Sequence, residues 1–357
     1  MSVNIDMEPF SLDKTSKKEY LTRVLNELSK HHVSKCKEYR GMMQGLSFNG
    51  DAASYTDIPF LPVRLFKELD LKSLDSSEEV FKVMTSSGTT GQMVSKIYLD
   101  KETASLQQRV LARIMPSFTG SARMPMLIID CPSVIKNRKL FTARGAAIIG
   151  FSMFGTDKAY ALDDDMNLDV EGVLAFLEKH KGKRILCFGF TFMIWQHFYK
   201  ELLKQKIQID LSSGVLIHGG GWKKLLNEAV SSEVFKNSLY DICRIKNVHD
   251  YYGMVEQTGC IYLECEEGHF HASIFSDIIT RRGNDFSICD IGEEGIVQVV
   301  SVIPRSYPGH SLLTEDLGTI LGEDDCPCGR LGKYFKISGR LKNAEIRGCG
   351  DTYAAGL

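Results

Sequence analysis

No surplus of either charge marks the chain. Its 357 residues hold 43 Lys and Arg against 45 Asp and Glu, a net of −2. Nothing in that balance suggests a polyanion partner, and a general nucleic-acid binder is not expected. Cysteine is sparse for a disulfide scaffold: ten in the whole chain is far below the density at which bridges stand in for a core. The start, MSVNIDMEPF, has no apolar signal-peptide stretch. These two features predict a cytoplasmic protein with reduced thiols. Long apolar runs are missing as well. The longest charge-free one, Ile185 to Tyr199, contains Gln196 and His197 and falls short of the ~20 residues that span a bilayer, so no membrane span is expected. Neither a repeat period nor a low-complexity tract occurs. What is present, 43% apolar and 25% charged residues, is ordinary globular composition on a chain long enough for a real core.

Hydrophobic period and punctuation divide the chain. The first forty residues read as helical: Ser16 and Glu19 suggest a capping box, with Tyr20, Val24, Leu28 and Cys36 as an apolar stripe. Ile58 to Val63, with two prolines, reads as an extended segment against a core. From about 80 to 250, strand candidates at Val80–Met84, Met126–Asp130, Ala146–Phe151, Arg184–Phe190 and Gly214–His218 alternate with helix candidates. The helices fall at Lys101–Met115, Val170–His180 and Phe192–Lys206. That alternation predicts α/β layers with mostly parallel strands. After Cys260, closely spaced strand-like runs at Ile261–Cys265, Ile274–Thr280 and Gly295–Val302 predict a β-rich subdomain.

Five segments have residue types that carry chemistry. Thr85-Ser86-Ser87-Gly88-Thr89-Thr90-Gly91 offers hydroxyl and amide donors on a flexible turn, suited to phosphate oxygens, with Lys96 five residues on as a positive charge. It is not a Walker loop, because the GxxxxGK[ST] spacing is absent and a strand follows; a plain solvated turn would use the same residues. Gly219-Gly220-Gly221, after His218 at the end of an apolar strand, costs backbone entropy and so marks either a close approach or a loop that needs positive φ. Tyr251-Tyr252-Gly253, followed by Glu256, places flat rings and a carboxylate after a strand running from Arg244 to Val248, able to stack on a base and to hold Mg²⁺. Cys265, His271, Cys326 and Cys328 form a Zn²⁺-type donor set in which His269 could replace His271 and Cys260 could replace Cys265; ordinary buried cysteines are the alternative. Cys349, between two glycines and near Arg347, is an accessible thiol, nucleophilic or inert.

Taken in order, these segments resemble the signature series of the adenylate-forming superfamily of acyl-CoA synthetases and luciferases. Thr85–Gly91 resembles its TSGTTG loop, Tyr252-Gly253-Met254-Val255-Glu256 its YGMTE, Thr314-Glu315-Asp316 its TGD, and Gly339-Arg340 with Lys342 its hinge. Within the superfamily the chain is most similar to the acyl-protein synthetase of the bacterial bioluminescence fatty-acid reductase, on Cys36–Arg40, Asp57–Pro62, the hydroxyl loop, Gly219–Lys223 and Gly348-Cys349. The Cys-Pro-Cys-Gly turn resembles phenylacetate-CoA ligase. Three positions depart from the pattern: Val255 stands at the usual Thr, Leu313 where an Arg often precedes TGD, and Gln92 at a frequent Lys.

The resemblance implies an α/β fold of layered sheets plus a β-rich subdomain. Residues 1–341 would be the large domain, made of a lead-in over 1–80, an α/β core over 81–259 and the β-rich part over 260–341; residues 342–357 would be a short tail in place of the usual C-terminal domain and its lysine. It further implies ATP-dependent formation of an acyl-adenylate. Residues 85–91 and a Mg²⁺ on Glu256 would face the phosphates, Tyr252 adenine, and Asp316 and Arg340 the ribose. Cys349 would accept the acyl group of a carboxylic, fatty acid and hand it to a reductase or acyltransferase. Transfer to CoA or a carrier protein is the enzymatic alternative. A non-catalytic partner subunit that binds nucleotide and zinc is the other, encouraged by Val255 and the missing lysine.

Overall fold

The computed structural model describes residues 3–75, 80–86, 93–136, 143–222 and 228–341. The phosphate-type residues Ser87 to Gly91, together with Lys342 and Cys349, lie outside them. The chain forms two compact units. Of the described residues, one comprises 3–75, 80–86, 93–118 and 253–341, the other 119–136, 143–222 and 228–252. Along the chain the described strands are β1 (Leu61–Pro62), β2 (Lys82–Thr85), β3 (Lys96–Leu99), β4 (Met124–Ile129), β5 (Gly155–Tyr160), β6 (Ile185–Phe190), β7 (Gly214–Gly219), β8 (Asn247–Tyr252), β9 (Tyr262–Glu264), β10 (Phe270–His271), β11 (Ser276–Arg281), β12 (Glu294–Ser301), β13 (Ser311–Glu323) and β14 (Lys333–Arg340).

The second unit is a parallel α/β layer in the order β5–β4–β6–β7–β8. β4, β6 and β7 are buried at every residue, as expected of parallel strands covered on both faces. Leu127, Ile129, Cys187, Leu216 and Val248 pack with Val173, Phe198, Phe235 and Leu239 in one core, where each such side chain contributes ~1.5–3 kcal/mol. One sequence expectation is overturned here. Ala146–Phe151 is not a strand but part of a helix, Ala143–Phe151. A six-residue apolar run is ambiguous on its own. It lies between two parallel neighbours, β4 and β5, which can be joined only by a crossover.

The first unit is built on antiparallel pairs in the order β11–β12–β13–β14–β10–β9, with β1 parallel to β13 and a separate β2–β3 hairpin. The β-rich reading of the region after Cys260 corresponds to these strands. Helix Lys14–Lys35 begins one turn earlier than the proposed capping box. Its N-cap is Asp13, whose carboxylate accepts from the Ser16 amide at 2.8 Å and satisfies an otherwise orphaned donor. Its buried face is Lys17, Leu21, Val24, Leu25, Leu28, Ser29 and His32. Arg244, read as the start of a strand, instead ends helix Ser232–Cys243 in a left-handed conformation at φ 60°, and β8 begins three residues later. No helix among the described residues is long and apolar enough to cross a membrane.

Candidate functional site

In the first unit, antiparallel pairing sets Asp316 on β13 directly opposite Arg340 at the end of β14. Arg340 Nε donates to Asp316 Oδ1 at 3.1 Å, and its Nη2 donates to Glu315 Oε2 at 2.9 Å. The guanidinium is one-third exposed, so the pair adds little to stability and can take a new hydroxyl or phosphate partner at small cost. Thr314 faces inward: its hydroxyl donates to the Val297 carbonyl at 2.8 Å and accepts from the Asp316 amide at 3.1 Å. Glu256 sits in the short turn Val255–Gln257 and is buried. That turn is braced by Tyr307, whose hydroxyl donates to the Glu256 carbonyl at 2.9 Å, and by Gln257, whose amide reaches the Gly309 carbonyl at 2.8 Å.

The described edge of the hydroxyl segment is the β2–β3 hairpin, where Thr85 pairs with Lys96. Ser86 closes it twice, its amide donating to the Ser95 carbonyl at 3.1 Å and its hydroxyl accepting from the Ser95 amide at 2.9 Å. Lys96 is half-exposed, with Nζ 3.9 Å from Asp70, and the Tyr98 hydroxyl donates to that same carboxylate at 2.7 Å. Among the described residues the segment is thus flanked by a strand on each side, β2 before it and β3 after it.

In the second unit the glycine triplet and the tyrosines end neighbouring parallel strands, with Gly219 on β7 in register with Tyr251 on β8. A Cβ at Gly219 would lie 2.5 Å from the Tyr251 ring, so the close approach inferred from the sequence is, at this position, to the protein's own aromatic layer. Tyr251 also packs on Phe151 at 5.3 Å and on Phe188 at 6.4 Å between ring centres. Gly220 has φ +81°, whereas Gly221 has open space around it.

Two residues absent from the sequence-based set hold this loop. The Thr191 hydroxyl donates to the Gly219 carbonyl at 3.2 Å and lies 3.0 Å from His218 Nδ1. Burial, helped by Lys236 and His249, lowers His218 to about 3, so its imidazole is neutral and acts as a hydrogen-bonding brace. The position of His218 immediately before three glycines is the signal that could have found it.

The thiol cluster lies wholly in the first unit. One donor atom from each of Cys265, His271, Cys326 and Cys328 comes within 4.8 Å of the others. Cys265 and Cys326 Sγ are 4.0 Å apart, and Cys328 Sγ is 3.3 Å from His271 Nε2. Tetrahedral zinc, with Zn–S ~2.3 Å and Zn–N ~2.0 Å, has donor–donor edges of roughly 3.4–3.8 Å, so three sulfurs and one imidazole nitrogen at these spacings fit that ion. His269 Nδ1 stands 3.5 Å from Cys326 Sγ, at the rim of the set. Cys260 points elsewhere, its thiol between the Ser301 hydroxyl at 3.2 Å and the Phe275 carbonyl at 3.3 Å.

A family model for acyl-protein synthetase, LuxE, matches residues 2–357. The chain belongs to that family. As an acyl-protein synthetase it is an AMP-forming ligase that activates its acid as an adenylate. The long-chain-fatty-acid–luciferin-component ligase of Aliivibrio fischeri is 23% identical over 350 residues, 93% of this chain and 87% of that protein. Among solved structures, 2-hydroxyisobutyryl-CoA ligase in its open conformation with 2-HIB-AMP and CoA superposes with a TM-score of 0.73. The identity is 13%, over 96% of this chain and 76% of the ligase. The same ligase in its thioesterification state gives 0.72 at 14% identity, over 96% and 74%. These likenesses show the fold, which is that of the adenylate-forming ligases.

Proposed function

We propose that the protein joins a fatty acid to ATP as an acyl-adenylate and passes the acyl group to the thiol of Cys349, from which a partner reductase collects it. A carboxylate cannot acylate a thiol directly, because oxide is too poor a leaving group. In the first step a carboxylate oxygen attacks the α-phosphorus and the bond to pyrophosphate breaks. In the second the Cys349 thiolate attacks the activated carbonyl, a C–S bond forms and AMP departs. Positioning and charge neutralisation do most of this work. The observation that carries the reading is the Asp316–Arg340 pair in register on β13 and β14, a carboxylate and a guanidinium suited to ribose hydroxyls. The ends of β7 and β8 supply Gly219, Gly220, Gly221, Tyr251, Tyr252 and Gly253 for the adenine side. Thr85 to Gly91, a segment of hydroxyl and amide donors, would meet the phosphates, with Lys96 as a positive charge. Glu256 is an oxygen donor of the kind Mg²⁺ takes, and the ion, when bound, would neutralise phosphate charge. The printed name of the Aliivibrio fischeri relative, a long-chain-fatty-acid ligase, supports the choice of acid.

We further propose a structural zinc on Cys265, His271, Cys326 and Cys328, supported by the donor spacing above, and a cytoplasmic location. Acid-dependent exchange of labelled pyrophosphate into ATP tests the first step; none with any acid across short, long and aromatic carboxylates refutes adenylation. Intact-protein mass spectrometry tests the second. An acyl adduct is expected on the native protein and lost in Cys349→Ser. An adduct that persists in the variant, or acyl transfer only to added CoA or carrier protein, refutes self-acylation.

A further inference from the structure

Lys17 lies on the apolar face of helix Lys14–Lys35 and is 2% exposed. Its Nζ donates to the Ala272 carbonyl at 2.9 Å and stands 3.3 Å from Asp277 Oδ1. The other oxygen of Asp277 accepts from Lys333 Nζ at 3.0 Å and from the Tyr55 hydroxyl. Lys333 also donates to the Ile278 carbonyl and the Tyr55 oxygen, each at 2.9 Å. Two ammonium groups therefore share one carboxylate. Burial opposes ionisation of Asp277, but Lys17, Lys333 and Tyr55 outweigh it and hold the group at about 2. The carboxylate is charged; burial opposes the charge on Lys17, while Asp277 and the more distant Glu323 favour it. Glu323 is itself paired with Lys14 at 3.4 Å, so Lys14, Lys17 and Lys333 face two carboxylates and one positive charge is in excess. Burying an uncompensated charge is costly unless an opposite one lies near.

The thiol cluster begins one residue away from the backbone that Lys17 holds. Ala272, whose carbonyl Lys17 holds, directly follows His271, and its amide donates to the Lys333 carbonyl at 3.0 Å. Lys333 in turn precedes Tyr334, the residue paired with His271 across β10 and β14, whose ring stacks on it at 5.9 Å. The packing is built around the ammonium: a Cβ at Gly332 would fall 3.2 Å from Lys17 Nζ and 2.9 Å from the Ala272 oxygen. Two other ion pairs lie nearby. Arg330 pairs with Glu266 at 2.7 Å and Lys14 with Glu323 at 3.4 Å. Zinc held by three thiolates and one neutral imidazole carries a net charge of −1.

We infer that Lys17 is the buried counter-charge of the metal-loaded Cys265–His271–Cys326–Cys328 centre. The inference rests on the zinc reading. It makes Lys17 a positioning residue for the metal rather than a ligand: its positive charge is compensated when the metal is bound and uncompensated when it is not. The coupling is reciprocal, so removing the charge must weaken zinc binding and relieve the zinc-free protein.

The test uses the full chain purified with zinc, with metal content measured by elemental analysis, affinity by competition against a chromogenic chelator, and thermal unfolding with and without chelator. The native protein and Lys17→Arg are expected to hold one zinc with similar affinity. Lys17→Met is expected to bind it at least tenfold more weakly, and once stripped to unfold no lower than the stripped native protein. Should Lys17→Met not fold, Lys17→Gln removes the charge while keeping a hydrogen-bonding amide, and is read the same way. Zinc affinity within twofold of native in the charge-removed variant overturns the inference and leaves the zinc site standing. A native protein that holds no zinc, or a Cys326→Ser variant that holds it undiminished, overturns the zinc reading and this inference with it.

Discussion

The glycine triplet offers a perturbation series in which packing and ligand approach separate. An added Cβ at Gly219 would lie 2.5, 2.6 and 2.8 Å from three atoms of the Tyr251 ring, where ordinary contacts begin at 3.4 Å. Tyr251 cannot retreat freely, because Phe151 and Phe188 flank it. Gly219→Ala therefore overpacks the second unit, at about 1–3 kcal/mol, and lowers its Tm by roughly 2–4 °C for each of them. At Gly220 the cost is mostly backbone, about 1–2 kcal/mol for an L-residue at positive φ, with Phe190 3.1 Å from the new carbon. At Gly221 nothing lies within 4 Å and φ is ordinary, so Gly221→Ala should leave stability within ~0.5 kcal/mol of native. If adenine approaches this backbone, Gly221→Ala nonetheless raises KM for ATP in pyrophosphate exchange, by tenfold or more. Differential scanning fluorimetry and exchange kinetics on the three variants give the answer. Native KM for ATP in Gly221→Ala would remove the triplet from the nucleotide site, and an unchanged Tm in Gly219→Ala would refute the packing argument.

Asp316→Asn keeps the shape of β13 and removes one charged acceptor, an interaction of ~1.5–3 kcal/mol; KM for ATP should rise roughly 10–100-fold with Tm nearly unchanged, and a proportional loss of Tm instead would make the pair structural. Acid should destabilise the fold through its buried imidazoles. Burial lowers His218 and His310 to about 3 in the folded state, while the unfolded chain takes up those protons near 6.5. Stability is thus full above about pH 6.5 and falls as pH drops toward 3, by roughly 2 kcal/mol per histidine at pH 5. Denaturant titrations between pH 7 and 5 measure this, and for His310→Gln the slope should be shallower if the variant folds; an equal slope would refute the assignment.

Much of this architecture could be read from the chain because it is local. β4, β6 and β7 are short apolar runs buried on both faces, and helices Lys101–Ile114 and Val170–Lys179 have amphipathic patterns that begin after the aspartates Asp100 and Asp169. The Asp316–Arg340 pair was legible only as two motifs 24 residues apart; their meeting depends on the register of β13 with β14, which includes two shifts between Leu317 and Gly322. Ala146–Phe151 failed for a different reason. Its composition suits either state, and the requirement for a crossover between parallel strands comes from the sheet rather than from the segment.

Lys17 sits between these cases, because the sequence does record it, as an anomaly. In helix Lys14–Lys35 it occupies the stripe that continues through Leu21, Val24, Leu25 and Leu28, so four-residue spacing puts a cation where every neighbour is apolar. A lysine there can snorkel to water near a helix end or find a partner inside. The helix places it too deep for water, and the partner, Asp277, lies 260 residues away in sequence. No periodicity links two such positions. What the anomaly does predict is a demand: a cation on a buried face requires negative charge close by. Asp277 is already shared with Lys333, and Glu323, which also acts on Lys17, is paired with Lys14, so two carboxylates face three ammonium groups and the remainder points to the thiols beside His271.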